Sequence, residues 1–451
     1  MINIAPRLRE AGMSEAESGA KARLLERCGE ALDAARRSTG ERQAFFVPGR
    51  IEVLGKHTDY AGGRSLLCTM ERGFVILVVP RADALVCVMD AMRGESHELA
   101  LDPGLDTARG DWSAYAATVI RRVARNFPDA RRGADIAFAS DLPAASGMSS
   151  SSAFVIGMFA ALDSANDLAG RPAYRRAISS PETLAAYLSA VESGASFGAL
   201  TGDDDGGLGI LGGSEDHTAI LCCHAGFLSR YAFCPVRPEG AIPFPQGRAF
   251  VIAYSGIAAE KSRGARTSYN EASLAVQRIL TVWNEATARR DASLADAIAS
   301  ADGATDRMRA ILRASRPPDF TPHRLCDRFD QFVAESSDLI PRVAGAFARG
   351  DLAEVGMLVD RSQAGAETLL GNQVPETIAL ARMARANGAD AASAFGAGFG
   401  GSVWAMTAAA DAREFAETWR ETYRGAFPAA AASAQFFVTR PGPAMTRCGG
   451  E

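Results

Sequence analysis

The chain has 451 residues, 47% of them hydrophobic, and a formal net charge of −5. That length and apolar content predict a large core divided between two domains. The mildly acidic balance argues against nucleic-acid or polybasic membrane partners, no apolar run reaches the roughly 18 residues of a membrane helix, and residues 1–20 lack the apolar block of a signal peptide, so a cytoplasmic protein is expected.

In chain order, residues 17–37 have helical periodicity and 43–47 enter a strand. PGRIEVLGKHTDYAGG follows from Pro48. Its apolar residues alternate, but the turn carries His57, Asp59 and Tyr60 close to Arg50, a set that suits a polyol ligand. The same residues also make a plain Asx-type turn ahead of Gly62 and Gly63. Strands are predicted over 75–80 and 84–89, and a helix over 111–125, with Trp112 and Tyr115 as core and groove wall. A strand, ADIAFASDLP, stops at Pro143 and runs into LPAASGMSSSSA, residues 142–153. Glycine and serine there allow close backbone approach and supply donors at the positive end of the helix predicted over 153–168, where phosphate binds well. A lone GxSSSS is also the pattern of a linker or an N-cap, and the Lys of a Walker-type loop is missing.

A second helix, 181–193, carries Glu192 near its end, which taken by itself is an exposed helix Glu. The Gly- and Asp-rich tract 194–213 reads as a solvated loop, since its DDDGG lacks the rest of an EF-hand. Residues 220–233 look strand-like, and Pro235, Pro238, Pro243 and Pro245 mark a domain change near 237–246. A strand opens the second half at 249–256, helices dominate 269–388, and GAGFGG at 396–401 is at least a glycine turn joining helix to strand. Eight cysteines without CxxC spacing read as reduced core thiols, and five histidines show no HExxH. Among 48 basic residues only Lys21, Lys56 and Lys261 are lysine, so a retained Lys points to a use for its compact ammonium.

Three of these stretches, in this order, resemble the three motifs of the GHMP sugar and metabolite kinases. The first also resembles the galactokinase signature at Pro48, Gly49, Arg50, Gly55, His57, Thr58, Asp59, Tyr60, Gly62 and Gly63. GGSEDH, residues 212–217, resembles that family's Gly-x-Met-Asp-Gln segment and aligns Asp216 with its catalytic aspartate, with Asp204 and Glu215 as neighbouring competitors. The resemblance implies an α/β (α+β), two-domain GHMP kinase fold: an N-terminal domain, 1–236, with the Ser-rich phosphate loop, and a ferredoxin-like C-terminal domain, 237–451, with the active site between them. It further implies a sugar-1-kinase of the galactokinase type, with galactose or a related sugar, ATP and Mg²⁺.

On that resemblance Asp216 and Arg50 are catalytic. Gly147, Met148, Ser149, Ser150, Ser151, Gly398 and Gly400 bind ATP; Ser150 and Glu192 hold Mg²⁺; and Lys56, His57, Asp59 and Tyr269 contact the sugar. Two positions depart from the pattern. Glu52 stands where the family has Asn, and Lys56 where galactokinases have a sugar-contacting Glu. This charge reversal points to a uronic acid such as galacturonate, unless Lys56 pairs with Glu52 or the loop aspartates instead. The competing class is an inactive sugar- and ATP-binding sensor; the presence of Asp216, Arg50, Ser150 and Glu192 favours the enzyme.

Overall fold

The structure, a computed structural model, describes residues 2–35, 40–107, 111–203, 207–209, 211–259 and 263–449, the side chains of 263–269 excepted. Its strands are β1 (Gln43–Leu54), β2 (Arg64–Pro80), β3 (Leu85–Asp90), β4 (Glu95–Ala100), β5 (Ala134–Ser140), β6 (Phe227–Ala232), β7 (Arg237–Pro243), β8 (Arg248–Tyr254), β9 (Ala391–Phe395), β10 (Ser402–Ala408), β11 (Gln435–Thr439) and β12 (Thr446–Arg447). The first sheet runs β12-β1-β2-β5-β3-β4, with β6 on β2 and β7 on β6; the second runs β11-β8-β10-β9. β3 and β5 pair in parallel. β2 is far longer than the predicted 75–80, because its first half pairs with β6 and its second with β5.

Period-two alternation decides what the second sheet covers. Val251, Ala253, Val403 and Ala405 face Leu380, Phe415, Trp419 and Tyr423, from the helices Pro375–Ala386 and Ala412–Ala426. Phe250, Ile252, Trp404 and Met406 point the other way, into the core that also holds the helix Ser150–Asn166. A separate cluster built on the helices Arg263–Thr287 and Pro322–Val333 buries Ala61 and packs against Tyr60, so it seats the turn after β1.

Two expectations are corrected. The apolar run 220–233 is not one strand: Glu215–Cys222 is helical and only Phe227–Ala232 is extended. Short apolar runs carry no period that separates the two. The Pro-rich stretch near 237–246 is β7, hydrogen-bonded to β6. It lies at the sheet's edge, where Pro238 and Pro243 cost no ladder bond.

The tract 194–213, read as solvated, is pinned at its described end. Asp203 is buried and ion-paired with Arg121, Arg122 and Arg125 of the helix Ser113–Asn126, at 3.2, 2.9 and 3.5 Å. Lys21 is also buried and donates to Glu17 at 2.7 Å and Asp141 at 2.5 Å. Asp141 accepts from the Gly73 amide as well, so this lysine ties the helix Glu15–Ala34 to the start of the serine loop.

Candidate active site

A cavity of about 1000 Å³ joins the turn after β1, the serine loop and the N-terminus of the helix Glu215–Cys222. Arg50 and Glu52 line it from β1, alternating with Ile51 and Val53, which stay in the core with Phe45 and Val47. The β1–β2 register shifts on either side of them, between Pro48 and Arg50 and again between Glu52 and Leu54. Arg50 Nε donates to Asp216 Oδ1 at 2.8 Å, and Nη1 donates to the Gly147 carbonyl at 2.6 Å. The guanidinium therefore bridges the aspartate and the serine loop. Burial alone would lower the Arg50 pKa, but the carboxylates of Asp216, Glu52 and Glu215 outweigh it and hold the value above its ordinary range.

The serine loop is shaped for an anion. Ala145, Gly147 and Ser149 all have positive φ, 50, 75 and 60°, which curls the backbone between Leu142 and the helix. For Ala145 and Ser149 this conformation is strained, as functional loops often are. Ser149 is the N-cap of Ser150–Asn166 but makes no side-chain cap, so the leading amides of that helix have no capping side chain. The buried hydroxyls of Ser146 and Ser149 also lack a hydrogen-bond partner among the described residues. Orphan amides at the positive end of a helix, beside orphan hydroxyls, fit a phosphate group. Ser150 and Ser151 line the cavity, as do Gly147 and Ser149; Met148 is buried behind them.

Beyond the loop the cavity wall is aromatic. Trp112, Phe138 and Phe154 pack edge to face, with centroids 5.1, 4.8 and 5.9 Å apart pairwise, and Phe74 lies 5.7 Å from Phe154. Of these only Trp112 stands out in the sequence, because the three Phe residues sit in strand and helix patterns indistinguishable from plain core.

Glu192 is buried; its Oε2 accepts from Ser152 at 2.9 Å and lies 3.3 Å from His217 Nε2. It thus lies behind the loop that carries Ser150, and does not line the cavity. Among the described residues no group of three or more His, Cys, Asp or Glu is placed to hold a metal. A Mg²⁺ carried mainly by phosphate oxygens, with one or two protein ligands, needs no such group.

The glycine turn of the second sheet docks on the serine loop. A Cβ on Gly396, whose φ is 81°, would come within 2.5 Å of the Gly147 carbonyl, and Ser402 Oγ donates to the Ser146 carbonyl at 2.7 Å. Gly396 and Ala397 reach the cavity. Gly398 and Gly400 do not: they pack under Asn372 and Ile257, where a Cβ would lie 2.2 and 2.7 Å from backbone carbonyls.

At the other end, His57 and Asp59 line the cavity with Tyr60. His57 Nε2 lies 3.0 Å from the Ala397 carbonyl and Nδ1 3.0 Å from the Tyr60 hydroxyl. A carbonyl only accepts, so the proton sits on Nε2 and Nδ1 takes the Tyr60 hydrogen. Burial lowers the His57 pKa to about 4, which keeps the ring neutral. Asp59 Oδ2 accepts from the Glu215 amide at 3.1 Å. The side chain of Tyr269 lies outside the described residues, as do Asp204 and Lys261.

Lys56 is turned away from the cavity, a correction to its expected place beside the sugar. It is 1% exposed, and Nζ donates to Ser393 at 2.8 Å and Ser362 at 3.2 Å. Glu335 accepts from Ser362 and from the Gly55 amide in the same cluster. The turn has Lys56 and His57 adjacent, and with the ring of His57 in the cavity the neighbouring side chain is driven inward. Glu52 and Glu215, by contrast, do line the cavity. The sequence marked both as oddities, a departure from pattern and a competitor for register, without assigning either a place in the site.

Residues 36–80 match the family model described as the galactokinase galactose-binding signature, 114–210 the GHMP kinases N terminal domain, and 343–425 the GHMP kinases C terminal domain. A galactokinase of Chloroflexus aurantiacus (strain ATCC 29366 / DSM 635 / J-10-fl) is 26% identical over 372 residues, 80% of this chain and 83% of that protein. A galactokinase of Actinobacillus pleuropneumoniae serotype 5b (strain L20) is 32% identical over 114 residues, so the match spans 25% of this chain and only 30% of that relative's length. Among solved structures, Lactococcus lactis galactokinase complexed with galactose superposes with a TM-score of 0.76 at 22% identity, over 94% of this chain and 99% of that one. At that identity the likeness is one of fold: two-domain, mixed α/β.

Proposed function

We propose, starting from a chain that belongs to the GHMP kinases and resembles galactokinase, that it is an ATP-dependent sugar kinase acting on the anomeric C1 hydroxyl of galactose or a related sugar. The observation that carries this reading is the Arg50–Asp216 pair, which joins a carboxylate at the polyol end of the cavity to the phosphate-shaped loop. The reading keeps the two-part organisation, 1–236 and 237–451, with the reaction between the parts, except that β7, Arg237–Pro243, pairs with β6 and so goes with the first part.

ATP, when bound, supplies the γ-phosphoryl group. The amides at the start of Ser150–Asn166 and the hydroxyls of Ser149 and Ser150 would hold its phosphates, and the wall of Trp112, Phe138 and Phe154 would take the base by stacking. Ser150 and Glu192 would hold Mg²⁺, Glu192 after giving up its bond to Ser152. Asp216 accepts the proton of the attacking hydroxyl. Arg50 keeps Asp216 ionised and places positive charge where the transferring group becomes negative. Phosphoryl transfer asks little more of a protein than such positioning.

The expectation of a uronic acid rested on Lys56 facing the sugar, and its burial removes that support. A neutral acceptor fits better. In a coupled assay, ADP release that depends on added sugar is the expected result; sugar-independent ADP release would sink the reading. Ser150→Ala and Glu192→Ala are each expected to raise the Mg²⁺ concentration needed for half-maximal rate and to lower kcat, because the metal neutralises charge that grows in the transition state. An unchanged Mg²⁺ titration in both variants removes them as ligands.

A further inference from the structure

The helix Pro322–Val333 grips the turn after β1 with two side chains that the proposed reaction does not use, Arg328 and Gln331. Arg328 is fully buried, yet its donors go to neutral acceptors: the Gln331 side-chain carbonyl at 2.6 Å, the His57 carbonyl, and the Tyr60 hydroxyl at 3.3 Å. Its Nε has no hydrogen-bond partner among the described residues. A buried cation held by neutral groups gives up its hydration without an opposite charge in return, which points to a use beyond stability.

Those contacts converge on His57. Its φ is 57°, a left-handed conformation that a side chain disfavours and that persists only where the surroundings impose it. Here the peptide planes on both sides of its Cα are held. Gln331 Nε2 donates to the Lys56 carbonyl at 3.1 Å, in the plane before His57, and Arg328 Nη2 donates to the His57 carbonyl, in the plane after it. With both planes fixed, the ring projects into the cavity while the Lys56 side chain turns inward to Ser362 and Ser393. The same guanidinium orders the bonds of the ring. Arginine only donates, so the Tyr60 oxygen meets it with a lone pair and sends its hydrogen to His57 Nδ1 at 3.0 Å, leaving Nε2–H for the Ala397 carbonyl at 3.0 Å. His57, Tyr60 and Ala397 line the cavity; Arg328 does not.

We propose that Arg328 is a positioning residue for sugar binding: it acts through His57 and Tyr60, by imposing the left-handed turn at His57 and the order of hydrogen bonds that runs from Tyr60 to Ala397. The proposal rests on the sugar-kinase reading for the identity of the ligand.

Calorimetric titration of the full chain with galactose, and separately with ATP, tests this without any need for turnover. Arg328→Met is expected to weaken galactose binding by roughly 10-fold or more, the scale of hydrogen bonds to a charged group, and to leave ATP binding unchanged. Tyr60→Phe removes one of the steps between Arg328 and the ring, so in the double variant the loss of galactose affinity is expected to be smaller than the product of the two single losses. Should Arg328→Met unfold, Arg328→Lys keeps the charge but not the fork that spans His57 and Tyr60, and is expected to show the same split between galactose and ATP. ¹⁵N NMR of the histidine rings, with the His57 signals identified by their loss in His57→Asn, is expected to show the proton on Nε2 in wild type and a mixture of Nε2–H and Nδ1–H in the Arg328 variant. Galactose and ATP affinities that fall together, single losses that multiply in full, or a wild-type proton on Nδ1 overturn the proposal. If wild type binds no galactose, the sugar-kinase reading fails, and the change of ring tautomer in the Arg328 variant then decides by itself whether Arg328 orders this turn.

Discussion

Asp216→Asn is expected to keep the fold and to lower kcat by roughly 10²-fold or more, the scale of losing a general base. Asp216 is one-third exposed in the cavity, and its Oδ1 is fixed by Arg50 Nε at 2.8 Å. Asparagine fills the same space but accepts no proton and carries no charge to pair with the guanidinium. Its neighbour Glu215 is poorly placed to substitute, because its carboxyl is buried against Ser65, and burial, with Glu52 and Asp59 beside it, raises its pKa well above the usual carboxylate range. Single-turnover rates, with circular dichroism to confirm the fold, give the answer. If Asp216→Asn turns over normally while Glu215→Gln is dead, the register of GGSEDH assigned to catalysis is off by one.

Lys56→Glu is expected to destabilise the protein by about 3–5 kcal/mol, the cost of an uncompensated buried charge. The new carboxylate would lose the donors that Nζ gives Ser362 and Ser393, and would face Glu335, which already accepts from Ser362 and Gly55. Lys56→Met, which removes the charge but keeps the length, is expected to cost less. Midpoints of urea unfolding with unchanged slopes measure both. A Lys56→Glu chain that stays within about 1 kcal/mol of wild type, while its preference among sugars shifts, would put Lys56 back in the cavity.

These two residues mark where the sequence can be read and where it cannot. Arg50 and the serine loop lie in stretches with a local pattern of their own, a glycine, a run of small donors and a helix start, whereas Asp216 enters only through the resemblance of GGSEDH to a family segment. Lys56 sits in an equally recognisable stretch, yet its direction depends on partners some 300 residues away, Ser362 and Ser393, which no local pattern announces. Glu335 and Ser336 are a further case. Both lie in a π-helical turn, Ala334–Leu339, and reach the Gly55 and Arg64 amides, so they brace the turn after β1 from a distant element. A π-turn inside a helix leaves no composition signal. β7 was misread for a different reason: its prolines are breakers in the interior of a sheet but harmless at an edge, and only the pairing shows which applies. The aromatic wall escaped notice because Phe74, Phe138 and Phe154 have the same spacing whether they bury against protein or against a ligand.

The account turns on phosphoryl transfer to a sugar hydroxyl at C1, and the product is the most direct witness. Incubation with MgATP and galactose, followed by ³¹P NMR and mass spectrometry, is expected to show a sugar monophosphate equimolar with ADP, its phosphorus coupled to the anomeric proton. ADP with free phosphate and unmodified sugar, or phosphate on a hydroxyl other than C1, would contradict it.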